Sequence, residues 1–398
     1  MTYATGERTR VGGNPLDAAT VPAAFQRTVT RYPEKVALQS LDRAERLTWA
    51  QAGVRVRTIA AGLAAHGIGR GDTVAIVLPN TVDCHLIDYA AVHLGAVPFA
   101  IFNSAPAVQI EHQLRVADCT LVITQSDFLD KVREGAAALG DQVRHVVVTD
   151  AAPAPGVTTL ADLMAAGDPE FDFDAAWQAV AADDLASLIY TSGTTGRPKG
   201  VLWRQSDIYV SSMNGADHDG VEEIHAKVAN AGPPWFAVSP LMHAAGMWTA
   251  FSGLLSGQTV VLHDTKPKFD PRTVLQTAER EKVGLMTMVG DAYAAPLVEE
   301  LDRRSYDLSS MFAIGTGGAA TNPKHQRALL DHIPQITIIN GFGSSETGNM
   351  GFGHTQRETK TAETFQLRAG GLVLAEDYSR FLEPGEAEVG WVARNGRI

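Results

Sequence analysis

The sequence predicts an α/β fold of two doubly wound αβα subdomains packed together, followed by part of a small distorted β-barrel. Three observations carry this. Short β-branched runs alternate with amphipathic stretches over most of the 398 residues, the pattern of parallel strands joined by helical crossovers. The strand-like runs are too many for one compact sheet. After Gly353 the helical pattern stops, and Gly370–Leu374 with Glu388–Ala393 reads as the start of a small antiparallel unit.

Element by element, Val21–Arg31 reads as a helix stopped at Pro33, and Thr48–His66 as a helix that Thr48 caps and Gly67 terminates. Strand-like runs follow at Thr73–Leu78, Leu121–Thr124, Val143–Val148, Leu185–Tyr190, Thr259–Leu262, Gly284–Val289, Met311–Ile314 and Ile336–Ile339. The Ala/Pro/Gly-rich stretch Asp150–Glu170 reads as a surface connection between the two halves, and Gly215–Pro234 as a polar surface insert. The expected organisation is residues 1–180 as the first half, 181–353 as the half that holds the ligands, and 354–398 as the start of the barrel.

Composition narrows the function. With 45% apolar and 20% charged residues the chain can bury a large core, and a net charge of −12 disfavours nucleic acid as a partner. Only Cys84 and Cys119 are present, too few for a disulfide framework, which favours a reducing compartment. The polar start lacks an apolar signal region, and no apolar run approaches the roughly 18 residues of a membrane span. A cytoplasmic protein is expected.

Leu188–Val201, LIYTSGTTGRPKGV, carries the chemistry. Gly193, Gly196 and Gly200 let backbone N–H groups approach an anion, Thr191, Ser192, Thr194 and Thr195 add hydroxyls, and Lys199 adds charge. A Walker A loop ends Gly-Lys-Ser/Thr, whereas Lys199 lies between Pro198 and Gly200. Tyr190–Gly200 instead resembles the AMP-binding signature of the acyl-adenylate superfamily, which includes acyl-CoA synthetases, luciferases and peptide-synthetase adenylation domains. The resemblance implies that Thr191 to Thr195, with Gly196 and Lys199, hold the outer phosphates of ATP.

Three further segments fit that family. Gly315–Ala320, GTGGAA, mimics a dinucleotide-binding turn, but a Rossmann site wants an acidic residue near the end of the next strand, and Ile336–Ile339 leads into Asn340. A dehydrogenase reading fails there. The resemblance implies that Gly317, Gly318, Ala319 and Ala320 line the adenine pocket and the floor of the acid pocket. Asn340–Gly348, NGFGSSETG, resembles the family's aromatic-Gly-x-Thr-Glu motif. It implies adenine stacking on Phe342, worth about 1–3 kcal/mol by analogy with other base–aromatic contacts. Asn340, Gly341, Gly343, Ser344 and Ser345 would surround the nucleotide, and Glu346 with Thr191 would hold Mg²⁺, a cation content with few protein oxygens. Ser345 stands where the family commonly has threonine. Pro240–Gly246, PLMHAAG, resembles the segment that sets a histidine beside the acid tunnel, which implies His243, Met247 and Trp248 as substrate-binding residues.

Val201–Tyr209, Gly290–Leu301, Tyr306–Ser310 and Gly343–Gly348 are most similar to actinobacterial CoA ligases for fatty, steroid-side-chain and related polycyclic acids. The implied reaction is ATP-dependent adenylation of a hydrophobic carboxylic acid, then transfer of the acyl group to the co-substrate CoA. The named catalytic residues are Lys199, Thr191, Glu346 and His243. Pro384–Arg394 resembles the stretch before the family's ribose-binding aspartate, and the sequence reaches Ile398 before that aspartate, the hinge or the C-terminal catalytic lysine. A C-terminal domain acting in cis or in trans is therefore an expected partner, and a homodimer another. The alternative is an incomplete or split enzyme, an acyl-adenylate- and ATP-binding module that does one half-reaction.

Overall fold

Threonine caps start the first helices. In the computed structural model, which describes residues 13–15, 18–150, 158–191, 198–207, 232–239, 241–264, 269–359, 365–367 and 371–394, Thr20 caps α1 (Val21–Arg31) through the Ala23 N–H. After β1 (Val36–Gln39) and β2 (Arg46–Thr48), α2 (Trp49–Ala65) opens on a reciprocal capping box of Thr48 and Gln51. Gly67, at φ 79°, takes the left-handed conformation just beyond its end.

The chain then alternates through β3 (Thr73–Val77), α3 (Val82–His93), β4 (Val97–Ala100), α4 (Ala107–Val116), β5 (Leu121–Thr124), α5 (Ser126–Ala137), β6 (His145–Val148), β7 (Thr158–Thr159), α6 (Leu160–Ala165) and α7 (Phe173–Gln178). A hairpin of β8 (Leu185–Thr191) and β9 (Lys199–Arg204) follows. Next come β10 (Trp235–Ala237), α8 (Ala244–Leu255), β11 (Val260–Leu262), α9 (Pro271–Glu281), β12 (Leu285–Met288), α10 (Asp291–Arg303), β13 (Ala313–Thr316), α11 (Pro323–His332), β14 (Thr337–Ser344), β15 (Gly348–Thr355) and β16 (Gln366–Leu367). The last described strands are β17 (Gly371–Ala375), β18 (Phe381–Leu382) and β19 (Gly390–Arg394), a three-stranded antiparallel sheet.

Two larger sheets organise the rest. The smaller is parallel, in the order β4-β3-β5-β6-β7; the larger runs β16-β15-β14-β13-β12-β10-β11-β1-β2 and is antiparallel only at its two ends. Strand alternation makes layers of them. Val74 and Ile76 face a core shared with α2, α3, Val260 and Leu262, while Ala75 and Val77 face a second core with Ile110 and Leu114 of α4. In the larger sheet Phe236 and Val261 turn to a third core, against α9, α10 and α11. Helices thus lie outside each sheet and between the two, which is why central strands such as Leu121–Thr124 and Val260–Leu262 read as continuous apolar runs.

The α/β class stands, and three details differ from expectation. Asp150–Glu170 is not simply a connection: residues 151–157 lie outside the described set, but β7 adds a strand and α6 packs inward. A capping box of Thr159 and Asp162 starts α6, and Leu163 is fully buried against α2, where any side chain at Gly62 would collide with the Leu163 carbonyl. Propensity at Ala and Gly was outweighed by this close packing. β1 and β2 lie in the larger sheet, with β1 parallel to β11, so the sheets do not divide the chain at residue 180. β15 also runs past residue 353, to Thr355. Of the expected insert Gly215–Pro234, residues 215–231 lie outside the described residues.

Candidate active site

The phosphate-loop candidate is carried by the β8–β9 hairpin. Its register pairs Tyr190 with Gly200 and Thr191 with Lys199, so these last two residues flank the mouth of the loop, where the Thr191 hydroxyl donates to the Lys199 carbonyl at 3.4 Å. Ser192, Gly193, Thr194, Thr195 and Gly196 lie outside the described residues. Buried packing fixes the hairpin's base: the Tyr190 hydroxyl donates to the Gln113 carbonyl at 2.9 Å, and its ring meets Phe99 edge-on. A Cβ at Gly200 would lie 2.5 Å from Leu188 Cδ1, so any side chain there would push the Leu188 side chain aside.

A second hairpin, β14–β15, presents the NGFGSSETG motif. Its tip closes by reciprocal hydrogen bonds of 3.2 Å between Ser344 and Thr347, and Gly343 approaches the Gly348 carbonyl too closely for any side chain. Glu346 is exposed at that tip. Phe342 sits across from Gly351, with Phe365 edge-on at 4.9 Å. Asn340 turns its amide N–H groups toward Gln326 and Thr355, at 3.2 and 3.3 Å, which anchors α11 to the strand.

The GTGGAA segment joins this hairpin edge to edge. A Cβ on Gly317 would be 3.0 Å from the Gly341 carbonyl, Gly318 has φ 74°, and Gly318, Ala319 and Ala320 are exposed. The Thr316 and Thr321 hydroxyls are 2.7 Å apart beneath the turn. Trp203 of β9 then ties the two hairpins together: its indole N–H donates a 2.9 Å hydrogen bond to the Ser345 carbonyl. Lys199, Thr191 and the Glu346 turn therefore belong to one connected assembly.

His243 stands at the start of α8, its ring 4.9 Å from Phe102 and edge-on to it. One side is open to solvent, while burial on the other holds its pKa below the ordinary imidazole value. Met247 is buried, with its sulfur 3.9 Å from the Ser187 hydroxyl. Trp248 lies on the same helix, and its side chain is outside the described set. Asn80, which nothing in the motifs singled out, fixes this corner: its amide donates to Ser239 O at 3.0 Å and accepts from Leu241 N at 2.7 Å. Trp203, read singly, is a plain core aromatic, and only its indole partner reveals the second role.

These donor types fit a nucleotide with Mg²⁺. Three glycines, 317, 318 and 341, leave the surface where the turn meets β14 without bulky side chains, room for a flat ring; Thr191 and Glu346 offer hard oxygens. Among the described residues no cluster of three His, Cys, Asp or Glu side chains gathers, so a metal here would complete its shell from phosphate and water.

The model of the AMP-binding enzyme family matches residues 25–379. The chain belongs to that family. It is 30% identical to the medium-chain acyl-CoA ligase Mig of Mycobacterium avium over 96% of this chain and 72% of the relative. It is 28% identical to the 3-oxocholest-4-en-26-oate–CoA ligase of Rhodococcus rhodochrous over 96% of this chain and 70% of the relative. An anthranilate CoA ligase solved with anthranoyl-AMP superposes with a TM-score of 0.77 at 20% identity, covering 92% of this chain and 68% of that one. A long-chain-fatty-acid CoA ligase of Archaeoglobus fulgidus gives 0.76 at 18%, covering 92% and 73%. The sequence-based family, and the class of AMP-forming acyl-CoA synthetase that takes ATP, Mg²⁺ and CoA, stand. No helix among the described residues is long and apolar enough to cross a membrane.

Proposed function

We propose that this enzyme adenylates a hydrophobic carboxylic acid of fatty, steroid or terpenoid type and passes the acyl group to CoA. The observation that supports the reading is the Trp203–Ser345 hydrogen bond, which joins β9, the strand that begins at Lys199, to the turn bearing Glu346. The apolar surroundings of Met247 and the names of the curated relatives support the hydrophobic acid.

In this reading Lys199 offsets the charge of the departing pyrophosphate, Thr191 donates a hydrogen bond to it, and Phe342 and the Gly317–Ala320 turn fix the adenine. Thr191 and Glu346 would hold Mg²⁺, which supplies charge neutralisation at the phosphates when bound. The acid arrives ionised, so its oxygen attacks the α-phosphorus without a protein base, and the P–O bond to pyrophosphate breaks as the new P–O bond forms. His243, kept neutral by burial, is a hydrogen-bonding neighbour for the carboxylate. Positioning and electrostatics carry the step.

The test is acid-dependent ATP–pyrophosphate exchange over a panel of fatty, steroid and aromatic acids, run beside mass-spectrometric detection of CoA thioesters. Exchange stimulated by hydrophobic acids, with the matching thioester, is expected. A panel in which no acid stimulates exchange or thioester formation would refute the reading.

A further inference from the structure

Helix α3 is buried between the two larger sheets, where apolar side chains belong, yet it carries His85, Asp88 and Tyr89 on one face by their i, i+3, i+4 spacing. All three line a cavity of about 30 Å³. His85 is 4% exposed and Tyr89 1%. His85 Nε2, Asp88 Oδ1 and the Tyr89 hydroxyl are fully buried, and none has a hydrogen-bond partner within the protein. Three such atoms on residues that line one cavity are unusual, because buried polar groups are otherwise almost always paired.

The cavity borders the acid site assigned above. Met247 of α8 lines it, with Leu241 and Met242 on the His243 side, and Ser187 of β8, the strand that leads to Thr191. Its remaining wall is apolar, from Phe99 and Phe251 among others. On the same measure a single water-sized group needs about 10–15 Å³, so there is room for a hydroxyl and the carbon that bears it.

Resting on the ligase reading above, we propose that this cavity is the far end of the acid pocket and takes a hydroxyl carried by the substrate away from its carboxylate, so that the preferred acids are hydroxylated hydrophobic acids. A hydroxyl both donates and accepts, so it satisfies Asp88 and Tyr89 together whichever tautomer His85 adopts. A second carboxylate would face Asp88 without a cation to offset it. Burial supports the pairing: it pushes the Asp88 carboxyl up to about 7 and the His85 imidazole down to about 3, so the imidazole is neutral and adds no charge to the pocket.

The experiment measures, by calorimetry on the full chain, dissociation constants of acyl-sulfamoyl adenosines, non-hydrolysable mimics of acyl-AMP. Straight-chain acyl groups of increasing length are compared with and without a distal hydroxyl. At one hydroxyl position the hydroxylated mimic is expected to bind at least tenfold more tightly than its plain partner. Asp88→Leu should reverse that preference, and Tyr89→Phe, which keeps the ring packing should Asp88→Leu fail to fold, should reduce it several-fold. Plain and hydroxylated mimics binding within twofold of each other at every position would mean the cavity holds water only, and overturns this inference alone. Failure of every mimic to bind overturns the ligase reading, and this inference with it.

Discussion

The indole N–H of Trp203 and the carbonyl of Ser345 meet at 2.9 Å across 142 positions of sequence. The bond couples the strand after the phosphate loop to the turn that carries Glu346. Trp203→Phe keeps most of the buried ring and removes the donor, leaving a carbonyl unpaired. We expect ATP·Mg²⁺ affinity to fall by about 0.5–1.5 kcal/mol, measured by calorimetry, with the melting temperature lowered only slightly. Unchanged affinity in a folded variant would show that the two hairpins bind nucleotide independently.

Lys199→Ala separates phosphates from base. Its place opposite Thr191 at the hairpin mouth predicts a loss of about 1–3 kcal/mol for ATP, as for a charged hydrogen bond, with AMP almost unaffected. Equal losses for both nucleotides would remove Lys199 from the outer phosphates.

Gly351→Ala should do the opposite. A Cβ there lies 2.5 Å from Phe342 Cε1 and 2.7 Å from the Gln366 carbonyl, and the carbonyl belongs to a paired strand that cannot easily yield. Phe342 must shift. ATP and AMP should weaken together, by about 1–3 kcal/mol, in line with overpacking costs. Intact AMP binding would take Phe342 out of the adenine site.

Acid stability should depend on Glu281. Burial alone would raise its pKa, but hydrogen bonds from Arg43 and Arg280 outweigh that and bring it to about 2. A folded value below the ordinary carboxylate range contributes stability above about pH 4.5, and this is lost as pH falls toward 2. Glu281→Gln should cost about 1–3 kcal/mol at neutral pH. In urea melts the gap between variant and wild type should close between about pH 5 and pH 2; a gap constant with pH would assign the effect to packing.

Much of the fold was legible in its central strands, which are buried on both faces, and in its caps: Leu121–Thr124 is a strand with the expected limits, and Thr48 caps its helix as expected. The glycine-rich motif at the β14–β15 hairpin was legible because glycine marks close backbone approach, as at Gly343 against the Gly348 carbonyl. β1, β2 and β10 were not, being three or four residues long and defined by partners far away in sequence. His85 and Asp88 escaped notice because α3 is buried nearly all round, so no polar face stood out against an apolar one. Asn80 works through backbone atoms of residues 239 and 241, a relation no local spacing encodes.

The pairing of Leu38 with Val260 sets a timetable for synthesis. A ribosome adding about 5–20 residues per second needs roughly 10–40 s to make the chain between them. Through that interval β1 has only β2 for company, and a lone hairpin is marginal in water. β1 is thus made long before the strand that completes its place in the sheet, and the nascent chain carries an unsheltered sheet edge through that interval.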